Sequence, residues 1–112
     1  MVFTYLATPY SNGNLEERYK AACSLCAYII KKGLTVYSPI VHWHNIAKNF
    51  DLPKDFSFWR HHDLVMLSCA SNMIIAKMPG WEDSVGIKAE LLFCEQNDIP
   101  VEFLNVDKLV EM

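Results

Sequence analysis

Residues 2–37 read VFTYLA, TPYSNGN, LEERYKAACSLCAYIIKK, G and LTVY in order, and this stretch decides the fold. VFTYLA is a short apolar run typical of a buried strand, and residues 8–14 are rich in turn formers. Residues 15–32 repeat apolar side chains at helical spacing, and Gly33 ends the helix. LTVY then forms a second strand. Strand, helix and strand in this order predict two parallel strands joined by a helical crossover.

The rest of the chain continues the alternation of strands and helices. The spacing predicts a short helix over residues 42–50, a helix from Pro53-Lys54-Asp55 to about Ala70, a strand over 72–77, a helix over 84–97 and a strand over 101–104. The pattern indicates an α/β fold, a flavodoxin-like or Rossmann-like three-layer sandwich with a four- to five-stranded parallel sheet. A length of 112 residues suits one core, so residues 1–112 are predicted to be a single domain. The tail over residues 105–112 is ambiguous.

Composition restricts the classes of partner. The net charge is −3, which argues against binding to a nucleic acid polymer, although a small anionic ligand is still compatible. The chain lacks a run of about 18 apolar residues, so we expect no membrane partner. The first residues read as a strand instead of a signal peptide, and we therefore expect a cytoplasmic protein.

The cysteines and histidines predict neither a metal nor a cofactor. Cys23 and Cys26 form a C-x-x-C pair, but inside a helical pattern and without a second pair of ligands. His42 and His44 are two residues apart in a predicted loop, and the zinc motif H-E-x-x-H does not occur. We expect free thiols in a reducing compartment.

The loops that follow the strands carry the polar and aromatic residues. In a parallel sheet these loops share the carboxyl edge, where open α/β sheets bind ligands. They hold hydroxyl and aromatic groups that suit a flat, hydrogen-bonding ligand such as a nucleobase with its sugar. From these loops we predict Thr8, Tyr10, Ser11, His42, His44 and Trp81 as substrate-binding residues. The alternative for Trp43 and Trp81 is that they only cap the core.

Two acidic residues fall on the apolar faces of their predicted helices. At 100° per residue, Glu90 lies opposite Lys88 and Glu95, on the side of Gly86 and Phe93. A carboxylate on an apolar face is costly unless it is paired, protonated or used in chemistry. Glu90 lies in the second turn of its helix, whose positive end is expected to favour the ionised form.

Asp63 shares its face with Trp59, which we add to the predicted substrate-binding residues, and with Leu67. Either acid alone is explained by a structural cap or ion pair, but two in one small domain favour acid–base or nucleophilic chemistry.

Nearly the whole chain resembles the nucleoside 2-deoxyribosyltransferase-like family, which includes nucleoside 5′-monophosphate N-glycosidases. The resemblance depends on Y-L-A-x-P-Y-S at residues 5–11, S-P-I-x-H-x-H at residues 38–44 and P-G-W-x-x-S-x-G-x-x-x-E at residues 79–90. Within the family, the chain is most similar to short phage and bacterial members.

The resemblance implies a role for each matching residue. Glu90 is expected to attack the anomeric carbon of the sugar as the nucleophile, and Tyr5 to orient it. Asp63 is expected to engage the leaving base and deliver a proton. Ser84 is expected to contact the 5′-phosphate in the monophosphate branch. That branch carries an arginine in the first loop, whereas the nearest arginine here is Arg18. Apart from the resemblance, Gly86 lies one turn before Glu90 on the same helix face and is expected to leave room for a ligand.

These inferences predict an enzyme that cleaves the N-glycosidic bond of a (2′-deoxy)nucleoside or nucleoside 5′-monophosphate. A transferase that exchanges bases would use the same site. A non-catalytic nucleotide-binding module and an interaction domain are the alternatives from other classes. A homodimer or a higher homo-oligomer is expected from the small size and the aromatic residues.

Overall fold

The computed structural model describes residues 2–106 and contains one parallel sheet of four strands. The strands are β1 (Thr4–Ala7), β2 (Val36–Tyr37), β3 (Asn72–Ala76) and β4 (Val101–Leu104). The helices are α1 (Leu15–Lys31), α2 (Pro39–Asn49), α3 (Phe56–Ser68) and α4 (Val85–Gln96), and a 3₁₀ turn, Trp81–Asp83, precedes α4. The predicted α/β fold is confirmed, with four strands.

Helices cover both faces of the sheet. Side chains of β1 and β3 alternate between the faces, as the pleat of a strand requires. Leu6 packs with Leu25 of α1 on one face, and Tyr5 packs with Leu67 of α3 and Cys94 of α4 on the other. Helix α2 contacts α1. The result is a three-layer sandwich.

The strand order is β2-β1-β3-β4, so the chain reverses its direction of winding between β1 and β3. β1 and β3 are neighbours, with Ala7 opposite Ile75 in register. The crossovers leave these two strands toward different sides, which opens a crevice at their carboxyl ends. The fold therefore places the loop after β1 and the start of α4 around one crevice.

The start of α2 differs from the prediction. The spacing predicts a helix from residue 42, but α2 begins at Pro39, directly after the short strand β2. Ser38 caps it, because its Oγ accepts a hydrogen bond from Val41 N at 3.2 Å, and proline fits the first turn of a helix. His42 and His44 thus lie on a helix and not in a loop, and they point about 200° apart around its axis.

Other predicted boundaries agree within a few residues. The last six residues of the ambiguous tail, 107–112, lie outside the described part of the chain. None of the helices within residues 2–106 is long and apolar enough to cross a membrane. All four cysteines are free, as expected.

Candidate active site

Glu90 of α4 and Asp63 of α3 line the same cleft at the carboxyl edge of the sheet. Both residues are buried, with 5% and 3% of their surfaces exposed. The cleft contains about 420 Å³ of space between protein atoms, including its open mouth. The helical wheels predicted both positions, and the structure brings the two carboxyl groups to one site.

Tyr5 fixes the Glu90 side chain. Tyr5 lies in β1, is fully buried, and its hydroxyl donates a hydrogen bond to Glu90 Oε2. The Glu90 carboxyl group is therefore held by two elements, by α4 through its own backbone and by the sheet through Tyr5 of β1. A buried hydrogen bond of this kind restricts the rotamer of an acid, which is what a positioned nucleophile needs.

Burial raises the pKa of Glu90 to about 8. The hydrogen bond from Tyr5 opposes this rise, and the negative charge of Asp63 adds to it. The positive end of α4 was expected to favour the ionised form, but the net effect at Glu90 favours the neutral acid. Glu90 lies in the second turn, where the helix dipole has weakened, and desolvation outweighs it.

Burial also raises the pKa of Asp63, to about 6, while His62 and Trp43 oppose the rise. Glu90 and Asp63 interact electrostatically, so the protons belong to the pair as a whole. Between about pH 6 and pH 8, the two acids together retain one proton. One acid and one base are thus present together near neutral pH.

The raised pKa of Glu90 predicts that the folded protein loses stability as the pH rises from about 4.5 to about 8. The unfolded chain ionises Glu90 near pH 4.5, whereas the folded chain does so near pH 8. The contribution to stability is therefore complete below pH 4.5, falls by on the order of 1 kcal/mol per pH unit between pH 4.5 and pH 8, and is absent above pH 8.

Glu90→Gln keeps the neutral shape, so we expect it to match the wild type near pH 4.5 and to exceed it by a few kcal/mol at pH 9. Urea unfolding at several pH values measures this difference. Equal pH dependence of the two proteins would show that Glu90 is not desolvated in the folded state.

Five of the predicted binding residues line the cleft. These are Thr8, Tyr10, Ser11, Ser84 and Gly86. Ser84 is also the N-cap of α4, because its Oγ accepts a hydrogen bond from Ile87 N at 3.3 Å. Its hydroxyl proton is therefore directed away from the helix backbone.

The space next to Gly86 differs from the prediction. Gly86 is predicted to leave room for a ligand, but a Cβ at this position would lie 3.2 Å from Cδ1 of Phe56. The ring of Phe56, the first residue of α3, occupies the space that the missing side chain provides. Gly86 thus allows α3 and α4 to approach each other beside the cleft.

The structure does not bring the other four predicted binding residues to the cleft lining. His44 is 1% exposed and is bonded to Tyr10 OH through Nδ1 at 2.5 Å and to Glu16 Oε1 through Nε2 at 3.1 Å. His42 stacks on His62 with ring centroids 5.3 Å apart.

The two tryptophans are also placed elsewhere. Trp59 stacks on Trp43, and Trp81 packs against Phe103 of β4. Their aromatic character indicated a binding surface, but tertiary packing uses both rings against the core.

Residues that were not predicted complete the cleft. They are Pro39, Ile40, Trp43, Lys54 and Phe56. Trp43 caps the core, as one alternative held, and also lines the cleft. Lys54 is the only basic residue of the lining within the described chain, and no local pattern indicates it, because its contribution depends on how the segment before α3 folds over the crevice.

Arg18 joins the two loops that flank the crevice. Its Nη2 donates hydrogen bonds to Pro79 O at 2.7 Å and to Asn12 Oδ1 at 3.3 Å. Asn12 Nδ2 in turn donates to Gly80 O at 2.8 Å. The guanidinium group is thus engaged with protein oxygens, which makes it a brace for the loops after β1 and β3.

Several polar atoms at the cleft have no protein partner. Within residues 2–106, five buried side-chain atoms lack a hydrogen bond: Thr8 Oγ1, Tyr37 OH, Trp43 Nε1, His62 Nδ1 and Asp63 Oδ1. We call them the unpaired polar atoms. Thr8, Trp43 and Asp63 line the cleft. Buried polar groups are nearly always satisfied, so these atoms are available for hydrogen bonds to water or to a polar ligand.

The fold and the cleft define a parallel α/β domain with a pair of buried acids at its topological switch point. Residues 2–106 match the family described as a domain of unknown function, DUF1937, and the chain belongs to this family. A comparison with curated proteins gives no match. The resemblance to deoxyribosyltransferase-like proteins stays a prediction.

Within residues 2–106, no three His, Cys, Asp or Glu side chains form a group that could hold a metal ion.

Proposed function

We propose that the protein cleaves the N-glycosidic bond of a (2′-deoxy)nucleoside or nucleoside 5′-monophosphate and releases the free base. The observation that carries the proposal is the pair of buried acids, Glu90 and Asp63, which come from different helices and line one cleft. The transition state of this reaction carries positive charge on the sugar, which a carboxylate below the anomeric carbon stabilises.

The proposed first step uses the form of the pair in which the shared proton lies on Asp63 and Glu90 is ionised, so the proton that burial retains on Glu90 must first pass to Asp63. A carboxylate oxygen of Glu90 attacks the anomeric carbon, the bond to the base nitrogen breaks, and its electrons leave with the base. Asp63 gives its proton to the base. Water then attacks the glycosyl ester of Glu90, Asp63 takes up the proton of that water, and Glu90 leaves as a carboxylate. The pair begins and ends the cycle with one proton.

A bell-shaped pH profile of the rate follows from the protonation states of the two acids. Below about pH 6 both acids are protonated and Glu90 does not attack, whereas above about pH 8 both are ionised and no proton reaches the base. We expect kcat/KM to fall on both sides of this window. Initial rates of base release across the acid, neutral and alkaline ranges measure the profile. A rate that rises steadily through the alkaline range would contradict the role of Asp63 as an acid.

A chromatographic assay tests the proposed function directly. The purified protein is incubated with each common nucleoside, deoxynucleoside and 5′-monophosphate, and free base is quantified. Glu90→Gln, purified in the same way, controls for contaminating glycosidases. Addition of a second, isotopically labelled base decides between hydrolysis and exchange. Base release that is equal in the wild type and in Glu90→Gln would refute the proposal.

A non-catalytic nucleotide-binding module is the second candidate. The favouring observation is that burial retains the proton on Glu90 at neutral pH, so the pair can act as fixed hydrogen-bonding groups. Such a module would gain thermal stability with a nucleotide and release no base.

We also propose a cytoplasmic location, where nucleosides and nucleotides are available. The free thiols of Cys23, Cys26, Cys69 and Cys94 support a reducing compartment. Cell fractionation with an antibody tests the location, and recovery of the protein in the secreted fraction would contradict it.

A further inference from the structure

Three of the unpaired polar atoms converge on one carboxyl group. They are Asp63 Oδ1 itself, Trp43 Nε1 and His62 Nδ1. His62 Nδ1 lies 3.6 Å from Asp63 Oδ1, a few tenths of an ångström beyond hydrogen-bond length. Trp43 lines the cleft together with Asp63. The Trp43 and His62 side chains both lie close enough to Asp63 to lower its pKa against the effect of burial.

Packing fixes the direction of the Trp43 indole. Its ring lies parallel to that of Trp59, with centroids 4.7 Å apart and planes at 1°, and meets the ring of Tyr10 edge-on at 5.1 Å. Trp59 is itself anchored, because its Nε1 donates a hydrogen bond to Pro53 O at 2.7 Å. Trp43 is 2% exposed, so its N–H is held in a desolvated position.

Packing also fixes His62. Its ring stacks on His42 with planes at 10° and meets Trp59 edge-on with centroids 5.6 Å apart. The side chain is 42% exposed, but Nδ1 is buried on the side of Asp63. The His62 ring is therefore partly in solvent, but its Nδ1 faces Asp63.

We infer that Trp43 and His62 are positioning residues. They donate N–H hydrogen bonds to the Asp63 carboxylate after Asp63 has given up its proton. An N–H group favours an ionised carboxylate over the neutral acid, and a hydrogen bond to a charged acceptor is shorter and stronger. His62 donates with its proton on Nδ1. When Asp63 loses its proton, its carboxylate forms hydrogen bonds with both N–H donors.

Other ionisable groups face Asp63 and act on its charge. Glu90 approaches from α4, Tyr5 and Tyr37 from the two neighbouring strands, and Lys54 from the segment before α3. His42 of α2 lies behind His62. The test variants leave all of these groups in place.

The experiment measures the pKa of Asp63 in the ligand-free protein by carboxyl ¹³C NMR. Trp43→Phe and His62→Leu each remove one N–H donor, and we expect each to raise the pKa by about one unit. His62→Asn is the conservative variant, because its amide nitrogen can take the place of Nδ1. We expect it to restore most of the wild-type pKa.

Two matched controls separate the donor from general packing. Trp59→Phe disturbs the same indole stack but removes a donor that is bonded to Pro53 O, and His61→Leu removes an exposed neighbouring histidine. Both should leave the pKa of Asp63 within a few tenths of a unit. An unchanged pKa in Trp43→Phe and His62→Leu, or an equal shift in Trp59→Phe, would overturn the inference.

The half-exposed position of His62 means that its leucine and asparagine variants can be compared even if Trp43→Phe does not fold. The kinetic consequence rests on the proposed function: with base release present, His62→Leu should slow poor leaving groups more than activated ones. Without any base release, the NMR measurement still decides whether the two donors act on Asp63.

Discussion

Replacement of Glu90 by glutamine is expected to lower the rate of base release by about 10⁴-fold or more, since the variant retains the shape of the acid but not the nucleophile. The amide oxygen of the introduced glutamine would accept the hydrogen bond from Tyr5 as the carboxyl group does, so the cleft should stay intact. A single-turnover assay with a radiolabelled substrate measures the loss, because steady-state assays detect traces of contaminating enzyme.

Tyr5→Phe is the matched comparison for this prediction. It removes the hydroxyl group that orients Glu90 but leaves the nucleophile, so its loss of rate should be far smaller than that of Glu90→Gln. A ligand-binding assay on both variants confirms that they still bind substrate. If Glu90→Gln retained more than about one hundredth of the wild-type rate, Glu90 would not be the nucleophile.

Replacement of Asp63 by asparagine should lower the rate by about 10²- to 10⁴-fold for natural nucleosides, whose bases need a proton to leave. Near neutral pH the pair of acids holds one proton, and the proposed mechanism delivers it to the base from Asp63. A substrate with an activated base, such as a nitrophenyl glycoside of the same sugar, departs without protonation and should lose little rate in the first step. The ratio of the two rates measures the role of Asp63.

The pH profile supplies a second check on Asp63. Without this acid, the alkaline limb of the wild-type profile should disappear for the activated substrate. Equal losses on natural and activated substrates would show that Asp63 positions the sugar and does not donate a proton.

Much of the site could be predicted from local patterns. The wheel of α4 places Glu90 among apolar side chains, and the wheel of α3 does the same for Asp63, because the buried face of a helix repeats with its geometry. Open α/β sheets bind ligands at the carboxyl edge, and strand order decides which loops meet there. This rule predicted that Glu90 and Asp63 share one crevice.

The remaining features depend on contacts between distant segments. Trp43 lines the cleft only because Ser38 and Pro39 start α2 about one turn earlier than its periodicity indicates. The pKa of Glu90 follows from complete desolvation, which a helical wheel does not measure. The residue type of His44 suggested a binding role, but both of its ring nitrogen atoms form hydrogen bonds within the protein, to Tyr10 and Glu16.

The parallel rings of Trp43 and Trp59 give the protein a built-in optical reporter. The two indoles overlap face to face, and one of them borders the cleft, while Trp81 lies apart from it and adds a constant background. A molecule that enters the cleft changes the surroundings of the overlapped pair and therefore its fluorescence. Candidate ligands can thus be ranked by titration of the unlabelled protein, before any turnover is known.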